Sequence, residues 1–422
     1  MAHTPDKPLV VVGSGPAGIS AIQELRRSGF AGRITVIAEE GGEPYDRPPL
    51  SKQVLAGTWE IERARLLPSD RLEGLDATWI QRRAAVSLDT EHQIIVTDDG
   101  ADYQYAAALI ATGSSPRRLP DPGLTGIHVL RSAADALKLR SALQPGAELV
   151  IVGGGFLGLE VAATANTLGC RVTVVEPLEQ PLANRVGDIV AERLVAVHRA
   201  HGVRVLCGLT VAGFRSRAVG AADPRTRASR EDPVSTVVLS DQTELKADVV
   251  LIAIGANPRV EWLEGSGLEI DDGVVCDQYC RAAPNVWAAG DVARWFHIAL
   301  CQHVRFEHRL NASEQGRAVA RSILGAPTAF APVPFFWTDQ FDVKLQLCGV
   351  LPENSRMSIV EGSEDSGAFI AAFYATELER PSAVLSWNAA GKLAPYRAVL
   401  QEDADYARCA YEEKVSRGAC GL

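Results

Sequence analysis

Residues 8–12 form an unbroken apolar run, followed by Gly13, Ser14, Gly15, Pro16, Ala17 and Gly18 and then by a helical pattern through Arg27. An apolar strand entering a glycine turn that opens a helix is the context in which GxGxxG binds phosphate. The first glycine makes the tight turn, the second lets backbone approach a pyrophosphate, and the third lets helix and strand pack closely. The helix N-terminus adds unpaired N–H groups and the positive end of its dipole. A second strand, 33–38, ends in Glu39, at the distance where an acid takes the ribose hydroxyls. The pattern then returns: the run 148–152 leads into Gly153, Gly154, Gly155, Phe156, Leu157 and Gly158, a helix through Leu168, a strand over 171–175, and Glu176. Two complete units predict two nucleotide sites, and the acid at Glu176 favours a coenzyme with a free 2′-hydroxyl, NADH over NADPH. Arg171 and Arg185 lie close enough in sequence to leave that preference open.

Three more strands end in glycine turns where backbone can approach a ligand: 105–110 into Ala111, Thr112 and Gly113, 249–254 into Gly255, and 286–289 into Gly290 and Asp291. From residue 326 the repeated α/β pattern stops, and 344–349 and 368–374 read as strands, with a short helix at 396–400. The polar stretch 213–233, with Arg215, Arg217, Arg225, Arg227 and Arg230, reads as a mobile hairpin loop.

Composition narrows the class. The 422 residues exceed one ordinary core and suit two or three domains. The 42 basic and 52 acidic residues leave a net charge of −10, which gives no general attraction for nucleic acid or an anionic membrane. No run is long and apolar enough to span a bilayer, and MAHTPDKP at the start lacks the apolar core of a signal peptide, so a cytoplasmic protein is expected. Eight cysteines, Cys170, Cys207, Cys276, Cys280, Cys301, Cys348, Cys409 and Cys420, show neither CxxC pairs nor zinc spacing, and no metal or disulfide framework is expected.

The order GxGxxG, ATG, GxGxxG, strand-to-glycine, AAGD resembles the two-dinucleotide-domain flavoproteins from about Leu9 to Gly325. PYDRPPLSK at 44–52, GGGFLGLE at 153–160, AAGDVA at 288–293, Glu307 with His308, and FWTDQ at 336–340 narrow the likeness. Together they resemble the NADH-dependent ferredoxin reductases, of the putidaredoxin reductase and biphenyl dioxygenase ferredoxin reductase type. The resemblance implies an α/β fold of two Rossmann-like, glutathione-reductase-like domains plus a C-terminal α+β domain. The FAD-binding domain would be discontinuous, at 1–115 and 246–325, with an NADH-binding domain at 116–245 and an interface domain at 326–422. It implies FAD at Gly13, Gly15, Pro16, Ala17, Glu39, Arg47, Lys52, Ala85, Ala111, Thr112, Gly113, Arg117, Gly290, Asp291 and Val292. NADH would lie at Gly153, Gly155, Phe156, Leu157, Gly158, Glu176 and Gly255, with Glu307 and His308 near the nicotinamide.

Hydride transfer belongs to the cofactors, so the protein has to align and tune them. Lys52 follows the rigid Pro48-Pro49 turn, and Glu160 lies in an apolar helix where an unpaired carboxylate would be costly if buried; each needs a partner. The resemblance pairs them beside the flavin, the alternative being a surface lysine and an exposed glutamate. Trp337, in the aromatic cluster FFWTDQF, would shield the flavin and form part of the electron exit, or else pack in a core with Phe335 and Phe336. Glu307 and His308 have a solvated helix face as their alternative. Residues 39–52 contain no cysteine, so reduced flavin has no thiol to pass electrons to, and CxxxC at Cys276 and Cys280 is read as structural. The remaining acceptor is a one-electron carrier, a [2Fe–2S] ferredoxin serving a P450 or ring-hydroxylating oxygenase. The chain would be a monomer or weak dimer.

Two other readings keep the fold: an NADH-binding interaction protein similar to apoptosis-inducing factor, and an NADH reductase of a small organic radical such as monodehydroascorbate. Acidic residues outnumber basic ones after residue 326, so docking to an acidic ferredoxin would fall to local arginines such as Arg305 and Arg309, or Arg63 and Arg65. Arg309 departs from the aromatic residue that the family commonly has after the Glu-His pair.

Overall fold

The computed structural model describes residues 8–120, 123–216, 232–375 and 380–416. The apolar run at the start becomes the strand Leu9–Val12, buried on both faces, as a central parallel strand must be. It pairs with Ile34–Ala38 on one side and Ala107–Ile110 on the other, both in parallel. Thr78–Gln81 and Val286–Ala288 extend this first sheet in parallel, and Arg281–Ala283 closes one edge in antiparallel. The helix Pro16–Arg27 lies against the helix Arg309–Ile323, which returns from almost 300 residues later in the chain.

A second sheet repeats the plan: Arg204–Cys207, Arg171–Glu176, Glu148–Val152, Val249–Ile252 and Ile127–His128, all parallel. The expected boundary between residues 245 and 246 is therefore displaced. Val249–Ile252 alternates nothing, is buried on both faces, and finds its hydrogen bonds beside Glu148–Val152, so it belongs to the second unit. The crossing itself is visible as two antiparallel strands, Ser114–Pro116 going out and Ala256–Pro258 coming back. The arginine-rich stretch begins in the hairpin strand Val211–Ser216, which pairs with Val234–Leu239. Arg215 bonds Glu244, while Arg217, Arg225, Arg227 and Arg230 lie outside the described residues.

The C-terminal unit is a five-stranded antiparallel sheet in the order Phe335–Gln340, Val343–Gly349, Ala383–Trp387, Ala368–Tyr374, Arg356–Ser363. Its period-two pattern feeds two cores. Leu345, Leu347, Phe369, Ala371, Phe373 and Leu385 join the core of the second unit, with Val190 and Leu194. Cys348, Ile370, Ala372 and Val384 face the other way and meet Leu400 and Ala404. The short helix expected at 396–400 is in fact Ala394–Ser416, 23 residues long. Its sequence offers few apolar positions to mark its length, but many good helix formers and no glycine or internal proline after Pro395.

Candidate functional site

The two glycine turns are built alike. Gly13 and Gly153 have φ of +114° and +108°, and a Cβ on either would meet the carbonyl oxygen of the neighbouring strand's end, Ala111 or Ala253, at 2.1 and 2.4 Å. Only glycine fits such a turn. Gly18 and Gly158 stand as closely over the carbonyls of Gly13 and Gly153. At Gly15, in contrast, a side chain would meet nothing within 4 Å, because the position faces a cavity.

That cavity has a volume of about 660 Å³ and runs from the first glycine turn to the second. Gly13, Gly15, Pro16, Ala17, Glu39, Arg47, Lys52, Ala85, Ala111, Thr112, Gly113, Gly290 and Asp291 line it from the first unit. Gly155, Phe156, Leu157, Glu160 and Gly255 line it from the second, with Glu307, His308 and Trp337. An open glycine turn, a helix N-terminus and this volume fit a dinucleotide with a ring system at one end. Five expected residues do not line it. Arg117 donates to Asn257 Oδ1 at 2.8 Å, Val292 is fully buried in the core, and Gly153, Gly158 and Glu176 are set back from the cavity at the second turn.

The cations of the wall are matched by carboxylates. Lys52 Nζ lies 2.6 Å from Glu160 Oε2, with both side chains largely buried, and also donates to Pro48 O and Ser51 Oγ. Ser51 Oγ donates to Glu160 Oε2 at 2.5 Å and Thr338 Oγ1 to Glu160 Oε1 at 2.8 Å, so the carboxylate is held from both the first unit and the C-terminal sheet. The surface alternative for Lys52 and Glu160 is thereby ruled out. Arg47 pairs with Glu40 at 2.8 Å, and Arg259 bonds Glu39, pulling that carboxyl below its usual range.

A carboxylate where a pyrophosphate is expected is electrostatically awkward, and Arg131 resolves it. Its Nη2 sits 2.9 Å from Asp291 Oδ2, which also accepts from Ser114 Oγ at 3.0 Å. Arg47 in turn donates to Arg131 O at 2.6 Å. Sequence reasoning missed Arg131, Arg259 and Ser51. Arg131 and Arg259 stand in no motif: Arg259 follows the returning strand Ala256–Pro258, and Arg131 follows the edge strand Ile127–His128 of the second sheet; Ser51 lies inside a motif, as a neighbour of Lys52.

His308 caps the helix Arg309–Ile323, its ring stacked on Phe306 and 5.4 Å from Phe336. Burial pushes its pKa down to about 4, so it presents a neutral ring to the cavity. Glu307 is held by Arg305 Nη1 at 2.5 Å. Phe336, expected in a core, also lines the cavity and packs on Phe156 with ring centroids 4.7 Å apart.

At the second turn Glu176 accepts from the backbone N–H of Gly154 at 2.6 Å and of Leu178 at 3.0 Å. The alternative offered by Arg171 falls away: it pairs with Glu148 at 2.7 Å, at the far end of its strand. Five residues of strand put it roughly 17 Å from Glu176. Arg185 is exposed, and its charge is felt at His308.

None of the cysteines among the described residues lines the cavity. Cys276 and Cys280 are buried, and desolvation pushes both thiols up, Cys280 to about 12, which suits a structural role. Cys409 and Cys420 lie outside the described side chains. Of the arginines considered for docking, Arg305 is tied to Asp272 and Glu307, Arg309 to Asp46, and Arg65 to Glu43. Arg63 instead lies over the Trp59 ring, 4.5 Å from its centroid.

Comparison with known proteins agrees with this geometry. The family described as pyridine nucleotide-disulphide oxidoreductase matches residues 7–316, and the reductase C-terminal family matches 335–414. Rhodocoxin reductase of Rhodococcus erythropolis is 35% identical over 374 residues, 88% of this chain and 84% of the relative. The ferredoxin–NAD(+) reductase component of the anthranilate 1,2-dioxygenase system of Burkholderia cepacia is 34% identical, covering 86% of each. The crystal structure of the covalent putidaredoxin reductase–putidaredoxin complex superimposes with a TM-score of 0.85 at 29% identity, over 95% of this chain and 94% of that one.

Proposed function

Because the chain belongs to the pyridine nucleotide-disulphide oxidoreductase family, among its ferredoxin–NAD(+) reductases, we propose that it passes a hydride from NADH to FAD and then single electrons to a [2Fe–2S] ferredoxin serving a P450 or Rieske-type oxygenase. The observation that carries this reading is the shared cavity. It joins both glycine turns, holds a buried Lys52–Glu160 pair and Trp337 in its wall, and is lined by no cysteine among the described residues. A disulfide relay therefore has no thiol there, which leaves one-electron acceptors, and similarity to the ferredoxin–NAD(+) reductases favours a protein carrier among them.

Bound FAD supplies the hydride acceptance and the release of electrons one at a time. The chain's own residues do the rest. The first turn and the helix Pro16–Arg27 would hold the pyrophosphate, Glu39 the adenosine ribose, and Arg131 would keep Asp291 neutralised next to it. Lys52 would place a cation by the flavin ring, and the neutral His308, Phe336 and Trp337 would exclude water where the nicotinamide enters. The residues up to Pro116 and from Ala256 to the end of the helix Arg309–Ile323 form the FAD domain in this reading, and those between form the NADH domain. Among the described residues no helix is long and apolar enough to cross a membrane, and the protein is assigned to the cytoplasm, where NADH is at hand.

Steady-state turnover tests the reading. FAD-loaded protein with NADH is expected to reduce both ferricyanide and a [2Fe–2S] ferredoxin from its own cell. Reduction of ferricyanide or of monodehydroascorbate alone would transfer the assignment to a small-acceptor reductase. Slow NADH oxidation with every acceptor would favour an interaction protein.

Glu176 supports the coenzyme choice. A hydrogen bond to a charged group is worth about 1.5–3 kcal/mol, so Glu176→Ala is expected to lower kcat/KM for NADH by about 10- to 100-fold and narrow its advantage over NADPH. An unchanged ratio of the two coenzymes would assign the preference to another residue.

A further inference from the structure

The Lys52–Glu160 pair does not end at the cavity wall. Behind it, Glu160 Oε1 accepts from Thr338 Oγ1 at 2.8 Å, Thr338 Oγ1 accepts from Gln340 Nε2 at 3.0 Å, and Gln340 Oε1 lies 2.8 Å from His198 Nε2. Glu160 and Thr338 are buried, as are Gln340 and His198, the last completely. The chain of bonds runs from the helix Phe156–Thr167 through the strand Phe335–Gln340 to the helix Asp188–Ala200.

Its direction follows from chemistry. A carboxylate in an ion pair only accepts, so the Thr338 hydroxyl donates to it. The hydroxyl oxygen then receives the Gln340 amide N–H, which turns the amide oxygen toward His198. That ring must carry its proton on Nε2, and Nδ1, buried without a partner, is left as a lone pair. Burial drives the His198 pKa below its ordinary value and keeps the ring neutral. The two ends of an amide are nearly the same shape, so packing alone does not orient Gln340; the Thr338 hydroxyl, committed to Glu160, fixes one end, and His198 fixes the other, because a proton moved to its partnerless Nδ1 would be a buried orphaned donor. Reversed, the amide would offer its oxygen to Thr338 and draw the hydroxyl away from Glu160. Bonds that all point one way also strengthen one another in a buried setting. Phe341 holds the imidazole in place, edge-on to His198 at 5.1 Å and stacked on His201 at 3.9 Å.

We infer that His198 is a positioning residue for the Lys52–Glu160 pair: by donating to Gln340 it orients the chain through Thr338 and so holds the carboxylate, and with it the ammonium, at the cavity wall. The inference rests on the reading of Lys52 as the cation beside the flavin.

The test uses the full-length, FAD-loaded protein and two readouts, the flavin midpoint potential by spectroelectrochemical titration and the limiting rate of flavin reduction by NADH. His198→Leu is expected to shift the potential in the same direction as Lys52→Met and to slow reduction about tenfold at unchanged NADH affinity. His198→Gln, whose amide N–H can take the place of the imidazole Nε2–H, is expected to keep wild-type values. The double variant His198→Leu/Lys52→Met should be no worse than Lys52→Met alone, since both act through one pair. A wild-type potential and rate in His198→Leu, or additive losses in the double variant, overturns the inference while leaving Lys52 in its role. If Lys52→Met itself leaves the potential unmoved, the reading of Lys52 fails and the inference falls with it. Should the leucine variant not fold, His198→Asn, too short to reach Gln340, carries the same expectations.

Discussion

Replacing Lys52 by methionine is expected to slow flavin reduction by NADH about 10²- to 10³-fold, the usual loss when one preorganised electrostatic group is removed from a water-excluded site. FAD should remain bound, because the glycine turn, Arg131 and Asp291 that would hold it lie apart from the lysine. The substitution also strips Glu160 of its cation. Breaking a buried pair by removing one partner costs about 3–5 kcal/mol, and the lower end is expected because Ser51 and Thr338 still donate to the carboxylate. Stability and chemistry can thus be confused in the single variant. In Lys52→Met/Glu160→Gln both charges are gone, so most of the thermal stability should return while the rate stays low. Stopped-flow bleaching of the flavin absorbance, set beside a melting curve, separates the two. A double variant that regained the wild-type rate would take the lysine's charge out of the chemistry.

The second large effect is expected at Gly316, in the middle of the helix Arg309–Ile323. A Cβ there would lie 2.2 Å from the carbonyl oxygen of Ala17 and 3.0 Å from its carbonyl carbon. Both neighbours are backbone of the helix that opens at the first glycine turn, so no flexible side chain can move aside. Gly316→Ala must push the two helices apart, and overpacking of this kind costs about 1–3 kcal/mol or more. The displacement also reaches the site, because Gln315 Oε1 accepts from Gly290 N at 2.8 Å, next to Asp291. The variant is expected to lose FAD on purification as well as to melt earlier, read from the flavin-to-protein ratio and the melting temperature. Full flavin content with a wild-type melting temperature would show that the helices part at little cost. This glycine stands in no recognised motif, and nothing but the packing of two helices from opposite ends of the domain marks it.

The uneven legibility of the molecule follows the range of the interactions. Each glycine turn is made by consecutive residues of one strand, turn and helix, so Gly13 to Gly18 and Gly153 to Gly158 could be recognised, together with the acids Glu39 and Glu176 that close the units. The return of the chain to one site could be inferred from the order of ATG and AAGD. The point of return could not: Val249–Ile252 reads equally well as a strand of either sheet, and hydrogen bonding to Glu148–Val152 decides. Charge was the least legible property. Arg305, Arg309 and Arg65 looked like free cations for a partner, but each meets a carboxylate from elsewhere in the chain.

By itself, then, the amino-acid sequence determined that two dinucleotide units follow one another, that no thiol stands by the first, and that the chain resembles the ferredoxin reductases. These features are local or compositional, and a short stretch of chain is enough to carry them. Only the tertiary structure decided which charges are neutralised and how the site is held: Arg131 on Asp291, Arg259 on Glu39, and Glu160 gripped by Ser51, Thr338 and Lys52. The physical reason is that an ion pair or a hydrogen-bond chain depends on distances of about 3 Å between residues that the sequence keeps a hundred or more positions apart.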